Sequence, residues 1–132
     1  MSDKARLEWK GGLLFRGETG GRELLLDGNR QAACSPVEAV ALSLAGCMAI
    51  DVVHILGRMR ADAKAVNVAI ESERAATDPK RFTHLRLRFE ISGDKIKPND
   101  VERALALSAE KYCSVYHSLR TDIEVETSYV LL

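Results

Sequence analysis

The chain has 132 residues, of which 46% are hydrophobic and 29% are charged, with 19 basic and 19 acidic side chains. The length predicts one domain over residues 1–132. The zero formal net charge argues against nucleic acid as a partner, because phosphate binding requires an excess of basic side chains. The N-terminus, MSDKARLEWKGG, lacks the apolar segment of a secretory signal. We therefore expect a cytoplasmic protein, and in that compartment cysteines are more often reactive than structural.

The N-terminal part of the chain predicts two or three short strands. Glycine pairs at Gly11-Gly12 and Gly20-Gly21, and the dipeptide Asp27-Gly28, are turn signals. Between and before them lie the apolar stretches that we expect to form strands: Ala5–Lys10, Leu13–Arg16 and Glu23–Leu26.

A long helix is predicted next. Ser35-Pro36-Val37-Glu38 has the pattern of a capping box, with proline at the first helical position, and the helix should continue to about Arg60. It is apolar around most of its circumference, which predicts burial on several sides. Glu38, Asp51 and His54 interrupt the apolar run, so we expect a core helix and no membrane partner.

The C-terminal part predicts a hairpin, a helix and a strand. Alternation is clearest in the second hairpin strand, where Leu85, Leu87, Phe89 and Ile91 share one face. A second helix begins near Pro98, and a last strand ends the chain. The order β-β-(β)-α-β-β-α-β gives an α+β fold with antiparallel sheets and two main helices.

Cys34, Cys47 and Cys113 are the three cysteines. They form no C-x-x-C motif, and none has a histidine at zinc-finger spacing, so we predict neither a structural metal nor a cofactor. Buried free cysteines are often small hydrophobic side chains, and spacing alone favours that interpretation. Asp51 and His54 follow Cys47 on one helical stripe. Either His54 lowers the pKa of the thiol, or Asp51 and His54 satisfy each other as a polar pair.

Two segments resemble the OsmC/Ohr superfamily, the osmotically inducible and organic hydroperoxide resistance proteins. SPVEAVALSLAGCMAIDVVHILGRMR (residues 35–60) resembles its central helix, and ALALSAEKYCSVYHSL (residues 104–119) resembles the helix with its second cysteine. The stretch DVVHILGRMR looks most like the YhfA-like branch. The order of elements agrees, so the resemblance covers nearly the whole chain.

The resemblance implies an intertwined homodimer around two central helices. It also implies that Cys47 attacks an organic hydroperoxide, becomes a sulfenic acid and then forms a disulfide with Cys113. A dithiol or a lipoylated protein would restore the thiols.

The family's activating residues are an arginine from an N-terminal loop and a glutamate directly after the helix-opening proline. Here Val37 follows Pro36 and the glutamate is Glu38, which turns the side chain by about 100°. Arg22 is our first candidate for the arginine, with Arg16 second. Because of Val37, we also consider a non-catalytic dimer that senses oxidants or binds a small apolar ligand. A structural domain with buried thiols is the third possibility.

Overall fold

The computed structural model describes residues 1–132. The elements in chain order are β1 (Ala5–Trp9), β2 (Leu14–Thr19), β3 (Arg22–Asp27), α1 (Pro36–Arg58), β4 (Asp62–Arg74), β5 (Phe82–Asp94), α2 (Pro98–Leu107), a π-turn (Ser108–Tyr112), α3 (Ser114–Ser118) and β6 (Glu124–Leu131). This order confirms the α+β class. The chain divides into two compact units, Met1–Val40 and Ala41–Leu132, which are described separately below.

The first unit is a three-stranded antiparallel sheet, with β2 between β1 and β3. Gly20 and Gly21 close the β2–β3 hairpin with φ angles of +56° and +76°, a left-handed region that glycine enters without steric cost. This explains why the glycine pair marks the turn.

The second unit contains the other sheet, with β5 between β4 and β6. Its predicted alternation is confirmed, since Leu85, Leu87, Phe89 and Ile91 are buried. The β4–β5 pairing is antiparallel, but the β5–β6 pairing is parallel. The sequence predicted antiparallel pairing throughout, which is wrong for β5 and β6. The reason is that α2, the π-turn and α3 form a crossover that returns the chain in the same direction.

Helix α1 begins with the predicted capping box. The Ser35 amide donates to Glu38 Oε1 at 2.8 Å, and the Glu38 amide donates to Ser35 Oγ at 3.2 Å. These two bonds satisfy amides that the first helical turn leaves without partners. The helix ends at Arg58, slightly before the expected Arg60.

Within the second unit, α1 is buried on one face and exposed on the other. Its buried face consists of Ala41, Leu44, Ala45, Met48, Val52, Ile55 and Leu56. Leu42, Ile50 and Val53, which are 56%, 70% and 50% exposed, lie outside that set. The expected burial on several sides is therefore not found in the single chain. By length and composition α1 could also cross a membrane, but core helices pass the same test.

Candidate thiol site

Two sulfurs and a carboxylate meet in the second unit. The Sγ atoms of Cys47 and Cys113 and a carboxylate oxygen of Asp51 all lie within 4.8 Å of one another. Cys47 and Asp51 are one helical turn apart on α1, and side chains at this spacing share a face. Both cysteines are free thiols. The structure thus brings together two cysteines that are far apart in sequence.

Cys113 lies at a break between two helical segments. The sequence placed it on a continuous second helix, but the chain forms a π-turn from Ser108 to Tyr112 and then extends, with φ −73° and ψ 101° at Cys113. The Cys113 amide donates to the Ser108 carbonyl at 2.8 Å. The Cys113 sulfur caps α3 by accepting a hydrogen bond from the Tyr116 amide at 3.3 Å. Single π-turns inside helices often occur at functional sites.

The two thiols have different environments. Cys113 is fully buried, and this burial is the main cause that raises its pKa from 9.0 to about 11. The Tyr116 amide lowers that pKa, while Cys47 and Asp51 add to the increase. Cys47 is only half-buried. At neutral pH Cys113 is therefore a protonated thiol, whereas Cys47 is the sulfur that a solute reaches first.

Asp51 is held by a residue that the sequence analysis missed. Ser108 Oγ donates to Asp51 Oδ2 at 2.8 Å, across 57 positions of the chain, and Ser108 is fully buried. His54 is exposed and makes no hydrogen bond to Asp51, so the Asp51–His54 polar pair, one of the two alternatives, does not form. One indication of this contact was present in the sequence, because Ser108 lies at helical spacing from Val101 and Leu105, which are buried residues of α2.

The cluster has three donor atoms that a metal ion could use, namely the two sulfurs and the Asp51 carboxylate. A metal ligand must be a thiolate, but burial favours the protonated form of Cys113. Binding of an ion at this cluster would therefore have to release the Cys113 proton.

The remaining predicted site residues lie in the first unit. Arg22 is exposed at the start of β3 and lines an open groove of about 450 Å³ with Leu7 and Leu24. It makes no ion pair. Arg16, by contrast, is paired with Glu8, Glu18 and Glu23. Of the two arginines, Arg22 is the one whose charge is not already matched.

Glu38 and Cys34 have local structural contacts in the first unit. The Ser35 amide bound to the Glu38 carboxylate is the main cause that lowers the pKa of Glu38. Cys34 precedes the capping box, and its carbonyl accepts a hydrogen bond from the Asp27 amide at 2.9 Å.

The family model described as "OsmC-like protein" matches residues 27–128 of the chain. The chain is 44% identical to Protein YhfA of Escherichia coli over 128 residues, which are 96% of each chain. A solved structure that carries only the description "structural genomics" is 42% identical to the chain, with a TM-score of 0.90 and 98% coverage of both chains. The organic hydroperoxide resistance protein OhrB of Bacillus subtilis is 13% identical, with a TM-score of 0.63 and 98% coverage of both chains, and shares the fold. The chain belongs to the OsmC-like protein family.

Proposed function

We propose that the protein reduces organic hydroperoxides by cycling between two free thiols, Cys47 and Cys113, and a disulfide that joins them. The observation that carries this proposal is the pair of free sulfurs within 4.8 Å, one half-buried and one fully buried. Membership of the OsmC-like family supports a peroxide-related or stress-related role, since some members of the fold are named organic hydroperoxide resistance proteins.

The first step forms a sulfur–oxygen bond at Cys47. Its thiolate attacks the distal oxygen of the hydroperoxide, the O–O bond breaks, and the alkoxide leaves with a proton as an alcohol. The sulfur is oxidised to a sulfenic acid while the peroxide is reduced. Cys47 suits this step because it is the more exposed sulfur.

The second step joins the two sulfurs. The Cys113 sulfur displaces hydroxyl from the sulfenic acid, which forms the disulfide and releases water. A disulfide needs a sulfur–sulfur distance of about 2.05 Å, so one sulfur must move. Cys113 suits this movement because it lies in an extended residue between two helical segments, whereas Cys47 is fixed within α1.

A dithiol, either a small molecule or a lipoylated protein, then reduces the disulfide by thiol–disulfide exchange and returns both thiols. A cytoplasmic setting suits this cycle, because cytoplasmic thiols are kept reduced.

We propose Arg22 as the cation that favours the Cys47 thiolate, whereas the Glu38 carboxylate binds the Ser35 amide in the α1 cap. The unmatched charge of Arg22 distinguishes it from Arg16. We expect Arg22→Ala to slow the reaction of Cys47 with hydroperoxide and Arg22→Lys to restore part of the rate. Arg16→Ala is the matched control and should react as wild type. The assignment of Arg22 fails if both alanine variants react alike.

We also propose that the protein is a homodimer in which the exposed apolar face of α1 is buried. Three large apolar residues that fall on one side of the helix, Leu42, Ile50 and Val53, are each at least half exposed, and exposed apolar surface of this kind is typical of interfaces. Light scattering should give the mass of a dimer for wild type, while Ile50→Glu should shift the population towards monomer. A monomeric wild type would contradict this part of the proposal.

The decisive experiment for the function is turnover with cumene or tert-butyl hydroperoxide and dihydrolipoamide. Wild type should consume many equivalents of hydroperoxide. Cys47→Ser should consume none. Cys113→Ser, treated with hydroperoxide in the absence of dithiol, should consume one equivalent and retain a sulfenic acid at Cys47, where wild type forms the disulfide. Cys34→Ser is the matched control and should turn over normally. Undiminished consumption by Cys47→Ser would refute the proposal.

Val37 in the place of the family's glutamate favours a second candidate, a non-catalytic dimer that senses oxidants or binds a small apolar ligand. The same assay separates the two candidates, because a sensor oxidises once and shows no sustained consumption even with excess dithiol.

A further inference from the structure

Asp51 is difficult to explain by the first step of the proposed reaction. Its carboxylate lies within 4.8 Å of both sulfurs, and a negative charge at that distance disfavours a thiolate. The first step instead needs a cation near the attacking sulfur, and a carboxylate does not supply one. A half-buried carboxylate beside two sulfurs needs another explanation.

The position of Asp51 is enforced by the fold. Ser108, which is fully buried, donates a 2.8 Å hydrogen bond to Oδ2. Ser108 is also the residue at which α2 gives way to the π-turn, and its carbonyl accepts from the amide of Cys113. One buried residue thus contacts both the carboxylate and the segment of the second cysteine, which fixes the two relative to each other.

The second step of the reaction has a need that a carboxylate can meet. Cys113 must lose its proton as it attacks, and the hydroxyl that leaves Cys47 must gain one. A general base must lie within hydrogen-bond reach of the proton or be joined to it by one water molecule. A separation of at most 4.8 Å is within the span of one bridging water.

We propose that Asp51 is the proton acceptor for disulfide formation, and that Ser108 is the positioning residue that aims its carboxylate at the two sulfurs. This inference rests on the proposed function.

In this step the S–H bond of Cys113 breaks and its proton passes to Asp51. The new S–S bond forms as the S–O bond of the Cys47 sulfenic acid breaks. Asp51 then gives the proton to the departing hydroxyl, which leaves as water. The carboxylate is regenerated and no additional oxidant or reductant is needed. The high pKa of Cys113 agrees with this role. Only a small fraction of Cys113 is thiolate at neutral pH, so a general base increases its rate of attack.

The ionisable groups that face Cys113 in the cluster are Cys47 and Asp51. Glu110, Lys111 and Tyr112, which precede Cys113 on the π-turn, are all exposed. The local pH dependence of disulfide formation is therefore set mainly by the three clustered groups.

The test measures the two steps separately in the whole chain with a Cys34→Ser background. The protein is mixed with one equivalent of hydroperoxide, quenched at set times, and analysed by mass spectrometry for dimedone-trapped sulfenic acid and for disulfide. Asp51→Asn is nearly isosteric and retains an acceptor for Ser108. Asp94→Asn, at the exposed end of β5, is the matched control.

We expect Asp51→Asn to form the sulfenic acid at least as fast as wild type and the disulfide about a hundredfold more slowly, the scale of general base catalysis. Asp51→Glu should restore part of the rate, while Ser108→Ala should slow the same step by a smaller factor. In Asp51→Asn the rate of disulfide formation should rise with pH as Cys113 ionises, more steeply than in wild type.

A purely electrostatic Asp51 gives the opposite result. Removal of its negative charge lowers the pKa of Cys113, provides more thiolate and speeds the second step. Equal or faster disulfide formation in Asp51→Asn therefore overturns the inference. If organic hydroperoxides do not oxidise Cys47, the proposed function fails instead. The sulfenic acid is then produced with excess hydrogen peroxide, and the same comparison of variants decides the role of Asp51.

Discussion

The difference between the two thiols predicts a large difference in alkylation. The thiolate is the nucleophile that attacks an alkylating reagent, so the rate at each cysteine follows its thiolate fraction and its exposure. An unperturbed thiol of pKa 9.0 is about 10% thiolate at pH 8, whereas a thiol of pKa about 11 is about 0.1% thiolate. Ionisation alone therefore slows Cys113 about a hundredfold relative to the same thiol in the unfolded chain.

The assay uses reduced protein with Cys34→Ser, so that only Cys47 and Cys113 react. Iodoacetamide is added at a series of pH values, and each site is quantified by peptide mass spectrometry. Cys47 should be modified first. The rate at Cys113 should increase about tenfold per pH unit above pH 8 and level off near 11, its raised pKa. In denaturant, its midpoint should return to about 9.0.

Equal rates of modification at Cys113 and Cys47 in the folded protein at pH 8 would refute this prediction, and so would a Cys113 midpoint that is the same with and without denaturant. Either result would mean that burial does not keep Cys113 protonated. The assignment of Cys47 as the attacking sulfur would then lose its physical basis.

Three further predictions concern stability and are measured by chemical denaturation. Ser35→Ala removes the α1 cap and should cost about 1 kcal/mol of unfolding free energy; an equal loss in Ser43→Ala, at an exposed position within α1, would contradict this. Amides of the loop that follows β3 lower the pKa of buried Asp27. The contribution of Asp27 to the unfolding free energy should be complete above its ordinary pKa of 3.8. It should be lost as pH falls through the lowered pKa of the folded state, and Asp27→Asn should lack this acid-dependent loss. Phe89→Ala should cost about 3–5 kcal/mol because Phe89 is fully buried, and a loss below 1 kcal/mol would refute that packing.

Local chemistry made much of the fold predictable. The capping box at Ser35 and Glu38, the hairpin at Gly20-Gly21 and the alternation along β5 each depend on residues that are close in sequence. The parallel pairing of β5 with β6 was not predictable in the same way. Strand direction depends on how the crossover between them returns, and alternation of side chains is identical in parallel and antiparallel strands.

In the candidate site, too, features set by residues close in sequence were predictable and features set by distant residues were not. The shared stripe of Cys47 and Asp51 follows from helical periodicity and was predicted. The position of Cys113 at a helix break was missed, because the hydrogen bonds of a π-turn span only one residue more than those of an α-helix, and this change leaves little trace in composition. The partner of Asp51 was missed as well, since no local pattern connects Asp51 with Ser108, 57 positions away.

The break at Cys113 gives the site a property that two intact helices would lack. Helices pack with their axes 8–10 Å apart, and sulfurs held rigidly on both would approach each other only if a helix moved. Cys47 is carried by α1, whose buried face packs in the core of the second unit. Cys113 caps α3, which has five residues and no buried side chain. Closure of the disulfide therefore requires the less constrained segment to move. The fully buried thiol is then the partner that moves, and the half-buried thiol is the fixed one.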